Sequence, residues 1–113
     1  MLNKQSHLNE IFYALADPTR RAVLERLGRG SATVTELAEP FDMALPSFVQ
    51  HLRVLEESGL IRSRKTGRVR TCKIVPQQMK KAEGWLTKQR GLWERRLNQL
   101  DDYVKELHLK ENK

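Results

Sequence analysis

The sequence predicts a mainly α-helical chain with one small β-hairpin and a long C-terminal helix. Three observations predict this fold class. Apolar residues recur at intervals of three and four through most of the first 58 positions, which is the period of an amphipathic helix. Strand-like residues then flank a Thr66-Gly67 pair, which favours a hairpin. From Pro76 to about Leu109, apolar residues recur every seven positions.

The length of the chain fits one domain over residues 1–113, with a folded core in residues 6–75 and a long helix in residues 76–109. The first ten residues contain no apolar run typical of a signal peptide, and no segment approaches the ~18 apolar residues of a membrane span. We therefore expect a cytoplasmic protein. The single cysteine, Cys72, excludes an internal disulfide and a multi-cysteine zinc site.

The net charge of +7 is concentrated in one short segment. Residues 1–60 carry six Lys or Arg against eight Asp or Glu, and residues 76–113 carry nine against six. Residues 61–75 carry no acid and six bases, which are Arg62, Arg64, Lys65, Arg68, Arg70 and Lys73. Such a cluster predicts a polyanionic partner. The alternative is a solvated ribbon, but solvated surfaces usually mix the two signs.

The first two helices are bounded by residues that cap helix ends. We expect the first helix to begin near Ser6 as its N-cap. Its apolar face would hold Leu8, Ile11, Phe12 and Leu15. Asp17 followed by Pro18 starts the second helix as N-cap and first helical residue. Its apolar stripe is Val23, Leu24 and Leu27. Either Gly28 or Gly30 ends it.

The next two helices and the hairpin predict a winged helix-turn-helix. Thr33 and Glu36 have the spacing of a capping box and begin a short third helix. The fourth helix spans residues 45–58, and Gly59 is placed for the left-handed position after its end. Its core-facing residues are Phe48, Leu52 and Leu55. A short helix, a second amphipathic helix and a basic hairpin in residues 61–75, which we call the wing, together favour this fold.

The long C-terminal helix carries an apolar stripe with no evident cover. The stripe consists of Leu86, Trp93, Leu97, Leu100, Val104 and Leu107, widened by Trp85 and Leu92. About 30 residues span roughly 45 Å at ~1.5 Å per residue, which exceeds what a small domain covers. We therefore expect a second copy of the chain on this stripe, and we favour an interface over an effector cage. Gly84 and Gly91 leave open a kink or a close helix approach.

Three stretches carry a resemblance to a known family: LADPTRRAVLERL (15–27), TVTELAE (33–39) and LPSFVQHLRVLEESGLIRSRKTGR (45–68). In this order they resemble the ArsR-type winged-helix transcriptional regulators of bacteria. The run WLTKQRGLWERRLNQLDDYV (85–104) resembles a subgroup that lacks recognised metal ligands. The likeness covers about residues 6–107.

The resemblance implies a homodimeric repressor with a long C-terminal dimerisation helix. Its N-terminal and C-terminal helices would form the dimer, with Ile11 and Phe12 at the interface beside Leu86, Trp93, Leu97, Leu100 and Val104. Its fourth helix would lie in the major groove and its wing on the flanking backbone. Family members often have Ser at the places of Ala44 and Val49 and Tyr at the place of Cys72. Those departures concern base-by-base specificity rather than the mode of binding.

The fourth helix supplies the candidate base-reading residues. Its periodicity puts Ser47, Gln50 and Arg53 on the outer face, with His51 at the margin. Ser47 and Gln50 lie in the first half of the helix, where helix-turn-helix proteins contact base edges. The amide of Gln50 can pair with N6 and N7 of adenine. We expect Arg53 and His51 at phosphates; the alternative is a solvated helix face.

The remaining candidate DNA contacts are expected at the backbone rather than at bases. The wing residues in this set are Arg62, Arg64, Lys65, Arg68 and Arg70. Arg68, next to the turn, is the candidate for the minor groove. Thr33 and Thr35 can offer hydroxyl and N–H groups to a phosphate. Ordinary helix capping by these two threonines is an equally good interpretation.

No enzyme, cofactor or metal site is expected. The sequence has no Gly-rich phosphate loop and no convergent Ser, His and Asp set. The last helix offers Asp101, Asp102 and His108, but His108 lies six residues after Asp102, on nearly the opposite side of a helix, so these side chains do not converge on a metal ion within one chain. Two alternatives stay open beside a repressor of a near-palindromic operator. One is a protein–protein module that docks through its long helix; the other is a regulator with an unknown effector at its dimer interface.

Overall fold

Residues 4–111 are described by the computed structural model, with side chains from residue 7 onward. They form five helices and three short strands. The helices are α1 (Lys4–Leu15), α2 (Pro18–Leu27), α3 (Val34–Ala38), α4 (Leu45–Glu57) and α5 (Pro76–Glu111). The strands are β1 (Ala32–Thr33), β2 (Ile61–Thr66) and β3 (Val69–Ile74). The predicted fold class, mainly helical with a small wing and a long terminal helix, is confirmed.

The junction between α1 and α2 follows the predicted capping, except at the start of α1. Lys4 is already helical, so the prediction that Ser6 caps α1 is wrong. Lys and Gln favour helix interiors more than Ser does, which lets the helix extend upstream. Asp17 is extended, at φ −107°, and its carboxylate accepts the N–H of Arg20 at 3.0 Å. Gly28 is the C-cap of α2 and donates its N–H to the carbonyl of Leu24 at 2.9 Å.

Helix α4 ends in a Schellman motif that places the wing. Its C-cap is Ser58, and Gly59 takes a left-handed φ of +80°, as predicted. The N–H of Leu60 reaches the carbonyl of Leu55 at 3.1 Å, and the N–H of Gly59 reaches that of Glu56 at 3.0 Å. Leu60 is buried beneath the motif. The chain therefore leaves α4 in a fixed direction, directly into β2.

The sheet has three strands rather than the two predicted. Its antiparallel order is β1-β3-β2, with Ala32 opposite Cys72 and Thr33 opposite Thr71. A two-residue strand is too short to show a period in the sequence, so β1 was not predicted. The turn is also shifted by one residue, because Thr66 pairs with Val69 and leaves Gly67-Arg68 as the turn. Gly67, at φ +64°, supplies the positive φ that the first position of a tight hairpin turn needs.

The buried core draws on α1 to α4, the sheet and the start of α5. Its apolar members are Ile11, Ala14, Val23, Leu24, Leu27, Ala32, Leu37, Phe48, Leu52, Leu55, Leu60, Ile61, Cys72 and Ala82. The predicted inward face of α4 is confirmed, and Phe41 lies 5.4 Å from Phe48 between ring centroids. Cys72 is buried as expected, and burial raises the pKa of its thiol.

The chain divides into two compact units, residues 1–82 and residues 83–113. The second unit consists of the greater part of α5. Between Glu83 and Glu111 no side chain is buried. The helix is continuous through Gly84 and Gly91, and among the described residues a Cβ at either position would meet no atom within 4 Å apart from its chain neighbours and the nearby backbone of the helix itself. The single-domain interpretation stays a prediction. No helix among residues 4–111 is long and apolar enough to cross a membrane.

Replacing Gly59 by Ala should destabilise the fold more than the same change at Gly67. Both glycines have left-handed φ angles, which cost an L-residue about 1–2 kcal/mol. A Cβ at Gly59 would also lie 2.9 Å from Cγ of Gln78, whereas a Cβ at Gly67 meets open space. Urea unfolding at one fixed protein concentration measures both variants. Equal losses would show that Gln78 moves aside without cost.

Candidate nucleic-acid interface

The outer face of α4 is exposed along its first two turns and beyond. Ser47, Gln50 and Arg53 are all exposed, because Phe48, Leu52 and Leu55 fix the opposite face in the core. A guanidinium nitrogen of Arg53 lies 3.5 Å from the amide oxygen of Gln50. The amide nitrogen of Gln50, which is a donor, is not used in that contact. Ala44 makes no side-chain capping bond, in agreement with the missing hydroxyl noted in the sequence.

A cleft of about 600 Å³ lies between α3, α4 and the wing. It unites three of the predicted basic residues, namely Arg53 from α4, Arg68 from the turn and Arg70 from β3. Thr33, Thr35 and Val49 also line it. The exposed face of the helix and the tip of the wing therefore border one concave, positively charged surface. This arrangement suits double-stranded DNA, with the helix in the major groove and the hairpin tip on the flanking phosphate backbone.

One acidic side chain inside the cleft ties the wing to α4. The carboxylate of Glu56 accepts the N–H of Ser63 at 3.1 Å and its hydroxyl at 2.7 Å. The hydroxyl oxygen of Ser63 in turn accepts a guanidinium N–H of Arg70 at 2.9 Å. This chain restrains Arg70 and the base of the wing. Sequence reasoning missed it, since Glu56 and Ser63 stand on different elements and share no local pattern.

The strand alternation divides the wing bases between two faces of the sheet. Lys65 is opposite Arg70, on the face that carries Cys72. Arg62 is opposite Lys73, and Arg64 is opposite Thr71, so these residues lie on the other face. There they line a second shallow surface with Ser31 and Thr66. The six bases that form one run in the sequence are therefore not one surface in the fold.

Thr33 is the N-cap of α3, and its capping groups are engaged. Its hydroxyl accepts the N–H of Glu36 at 3.1 Å, while the carboxylate of Glu36 accepts the N–H of Thr33 at 3.2 Å. The bond from the Thr33 backbone holds the pKa of Glu36 below its usual value. A carboxylate therefore stays charged beside Thr33. Thr35 is exposed and borders the cleft.

His51 turns one edge of its ring inward. Its Nδ1 lies 3.1 Å from a guanidinium nitrogen of Arg20 and 3.7 Å from the carboxylate of Asp17, and the side chain is 24% exposed. Burial raises the pKa of Asp17, but the hydrogen bond from the backbone N–H of Arg20 and the positive charge of that residue act against burial, and the pKa is lowered. The sequence placed His51 at the margin of the outer face but gave no sign of these partners.

Arg20 was not among the predicted site residues, although it is 7% exposed and lies at the junction of three helices. Its Nε donates to the carbonyl of Ala14 at 2.8 Å, and a second guanidinium N–H donates to that of Tyr13 at 2.9 Å. The Tyr13 ring centroid lies 5.1 Å from the guanidinium carbon. The group thus connects the end of α1 with α2 and, through His51, with α4.

The candidate dimer residues on α1 are buried or partly buried within the chain, whereas those on α5 are exposed. Ile11 is 0% exposed within the chain, and Phe12 packs partly buried against the core. The α5 residues are all exposed, by 50% at Leu86, 59% at Trp93, 64% at Leu97, 58% at Leu100 and 53% at Val104. Among the candidate dimer residues, the five on α5 are therefore exposed in the single chain, whereas Ile11 is part of its core.

No group of three or more His, Cys, Asp or Glu side chains is placed to hold a metal ion within the part of the chain that the structure describes. The polar side chains that line the cleft are hydroxyl donors and cations, with Glu56 as the acidic exception, and apolar side chains complete the lining. The cleft therefore has the chemistry of a phosphate-binding surface rather than of a metal centre.

Comparison with known proteins agrees with this geometry. Residues 15–64 match a family model described as a helix-turn-helix domain. The chain is 37% identical over 60 residues to the transcriptional repressor SdpR of Bacillus subtilis, covering 53% of this chain and 67% of that protein. It is 43% identical over 63 residues to an HTH-type transcriptional regulator of Mycobacterium tuberculosis, covering 56% of this chain and 59% of that protein.

A solved structure covers more of the chain. The crystal structure of an ArsR family transcriptional regulator is 61% identical in sequence and has a TM-score of 0.79. The alignment covers 83% of this chain and 97% of that one. These relatives are regulators of transcription, so the prediction that the chain is not an enzyme is confirmed. From its fold and this similarity, the chain belongs to the ArsR family of winged helix-turn-helix transcriptional regulators.

Proposed function

We propose that the protein is a homodimeric cytoplasmic repressor that binds a near-palindromic DNA operator. Helix α4 would lie in the major groove, with the wing on the flanking backbone. The observation that carries the proposal is the cleft in which Arg53, Arg68 and Arg70 border the exposed face of α4. The relative in Bacillus subtilis is named a transcriptional repressor, which supports the repressing direction.

Base reading is assigned to the first half of α4. Ser47 and Gln50 are exposed there and carry hydrogen-bonding groups that reach outward. The contact with Arg53 leaves the amide nitrogen of Gln50 as its free donor, while a small turn of the amide frees the oxygen as well. Bidentate pairing of such an amide with adenine is the usual use of Gln in a major groove. Val49, also exposed, offers only apolar contact.

Affinity is assigned mainly to phosphate contacts from the wing. Arg68 stands in the hairpin turn, beyond the end of the paired strands, which suits insertion into a minor groove. Arg70 and Lys65 share the face that borders α4, whereas Arg62 and Arg64 lie on the other face. The second pair adds to the positive field and steers the chain toward DNA. Thr35 is the better placed of the two threonines for a phosphate, since Thr33 is engaged in capping.

Dimerisation is assigned to the exposed apolar face of α5. The segment from Glu83 to Glu111 buries no side chain of its own. An isolated helix gains little stability in water without tertiary packing of an apolar face. A second copy that packs Leu86, Trp93 and Leu97 against the same residues would supply this packing. Two α4 helices about one DNA turn apart (~34 Å) would then meet successive major grooves.

Changing Gln50 to Ala should relax the preference for one base in each half-site. A bidentate pair contributes about 1–3 kcal/mol of discrimination and the dimer makes one in each half-site, so operator affinity should fall by at least about thirty-fold while random duplex binding stays constant. Selection from a library randomised at each operator position measures the change. Gln77→Ala, an exposed residue at the start of α5, is the matched control. An unchanged base preference in the Gln50 variant would remove Gln50 from the reading surface.

Changing Arg68 to Ala should weaken operator and random DNA alike, and more than Arg62→Ala does. Both variants lose one charge per chain, but only Arg68 lines the cleft beside α4. Each lost phosphate contact lowers the salt slope of binding by about 0.9, hence by about 2 for two wings. Titrations from low to moderate salt measure the slopes. Equal slopes for the two variants would contradict a contact by Arg68, and a flat wild-type titration would contradict the wing assignment altogether.

Changing Leu97 to Glu should separate the dimer, because it puts a charge into the proposed apolar interface. Leu109→Glu is the matched control, since Leu109 is equally exposed (66% against 64%) but outside the proposed interface set. Sedimentation velocity should show a monomer for Leu97→Glu and a dimer for the control, with operator affinity lost in the monomer. A wild-type monomer that ignores DNA would favour the alternative of a protein–protein module that docks through α5.

A further inference from the structure

The hydrogen bond between Arg20 and His51 fixes the protonation pattern of a side chain on α4. Every hydrogen-bonding group of a guanidinium is a donor, so Nδ1 of His51 must accept the N–H that Arg20 offers at 3.1 Å. An imidazole nitrogen accepts only when it carries no proton. The ring is therefore neutral in this arrangement, and its one N–H proton resides on Nε2.

Arg20 can impose this pattern because it is itself immobilised. Two further guanidinium N–H groups are bound to the carbonyls of Ala14 and Tyr13 at 2.8 and 2.9 Å. The residue is 7% exposed, and its planar guanidinium presents its donors in a rigid fork. The carboxylate of Asp17 is 3.7 Å from Nδ1, beyond hydrogen-bond reach, and it accepts the backbone N–H of Arg20. Arg20, not Asp17, thus defines the tautomer.

The opposite edge of the ring faces away from the core. The two ring nitrogens of an imidazole point in widely different directions, so an inward Nδ1 leaves Nε2 outward. His51 is 24% exposed and follows Gln50 on α4. The hydrogen bonds of the described residues leave Nε2–H without a protein partner. A neutral His in the other tautomer would present an acceptor there, which repels a phosphate oxygen.

We propose that Arg20 is a positioning residue for DNA binding, which holds His51 in the Nε2–H tautomer so that this N–H donates to a backbone phosphate beside the major groove. The proposal rests on the proposed DNA-binding function. It assigns to Arg20, a residue remote from the reading face, a part in operator affinity. His51 serves as a neutral donor, and its contact is set by a hydrogen bond from the protein interior.

Two amides at position 51 separate the two edges of the ring. In His51→Asn, the side-chain oxygen takes the place of Nδ1 and keeps an acceptor for Arg20, but the outward donor is lost. In His51→Gln, the amide nitrogen takes the place of Nε2 and keeps the donor, but the acceptor for Arg20 is lost. We expect the Asn variant to bind operator about a hundred-fold more weakly, the effect of one hydrogen bond to a charged group lost in each half-site, with a near wild-type unfolding midpoint. The His51→Gln variant should bind operator more tightly than His51→Asn and should have a lower unfolding midpoint.

The action of Arg20 through His51 is tested by a double-mutant cycle. Arg20→Lys keeps the charge but lacks the fork that reaches three acceptors. It should weaken operator binding in the wild-type background and have little further effect in the His51→Asn background. Equal losses in both backgrounds, measured well below the unfolding midpoints, would show that Arg20 acts independently of His51 and would overturn the proposal.

The tautomer itself is read from the nitrogen chemical shifts of His51 in the free wild-type protein. We expect a protonated Nε2 and an unprotonated Nδ1 at neutral pH. A protonated Nδ1 would overturn the proposal without reference to DNA, and so would wild-type operator affinity in His51→Asn. If the wild type bound no genomic DNA while the expected tautomer was present, the proposed function would fail instead.

Discussion

The burial of one face of α4 is the constraint on which the rest of the functional surface depends. Phe48 and Leu55 are 0% exposed and Leu52 is 6% exposed. Each such side chain contributes roughly 1.5–3 kcal/mol by leaving water. A rotation of the helix by one residue would replace two of these three side chains with polar ones and forfeit most of that stabilisation. The outward position of Gln50 and Arg53 is therefore a consequence of core packing, not of any contact they make.

Local patterns predicted the elements well because their causes are local. Helix periods, the Thr33–Glu36 capping box and the Gly59 cap each depend on residues within a few positions of one another. The strand β1 escaped prediction because two residues hold no period. The hairpin turn was misplaced by one residue, since Thr66-Gly67 and Gly67-Arg68 are both compatible with a glycine-containing turn and only the pairing of Thr66 with Val69 decides.

The candidate site was predicted less completely because its geometry depends on distant pairs. Arg20 and His51 are 31 positions apart, and a bond between them leaves no trace in either helix's pattern. The number of basic residues in the wing indicated a surface for a polyanion, but it did not show that they lie on two faces of the sheet. Successive side chains of a strand point to opposite faces, which separates neighbours in the sequence. Ile11 shows a related limit: periodicity identifies an apolar face without telling whether the chain's own core or a second chain covers it.

The bare face of α5 has a further consequence for the cell. From Glu83 to Glu111 the helix has no buried side chain of its own, and in the proposed dimer a second copy covers its apolar face. If a second copy covers this face, the stability of the segment depends on dimerisation and therefore on the concentration of the protein. A newly made chain would then be inactive until enough others accumulate. Expression level would set a threshold for repression, in addition to any signal that acts on the folded dimer.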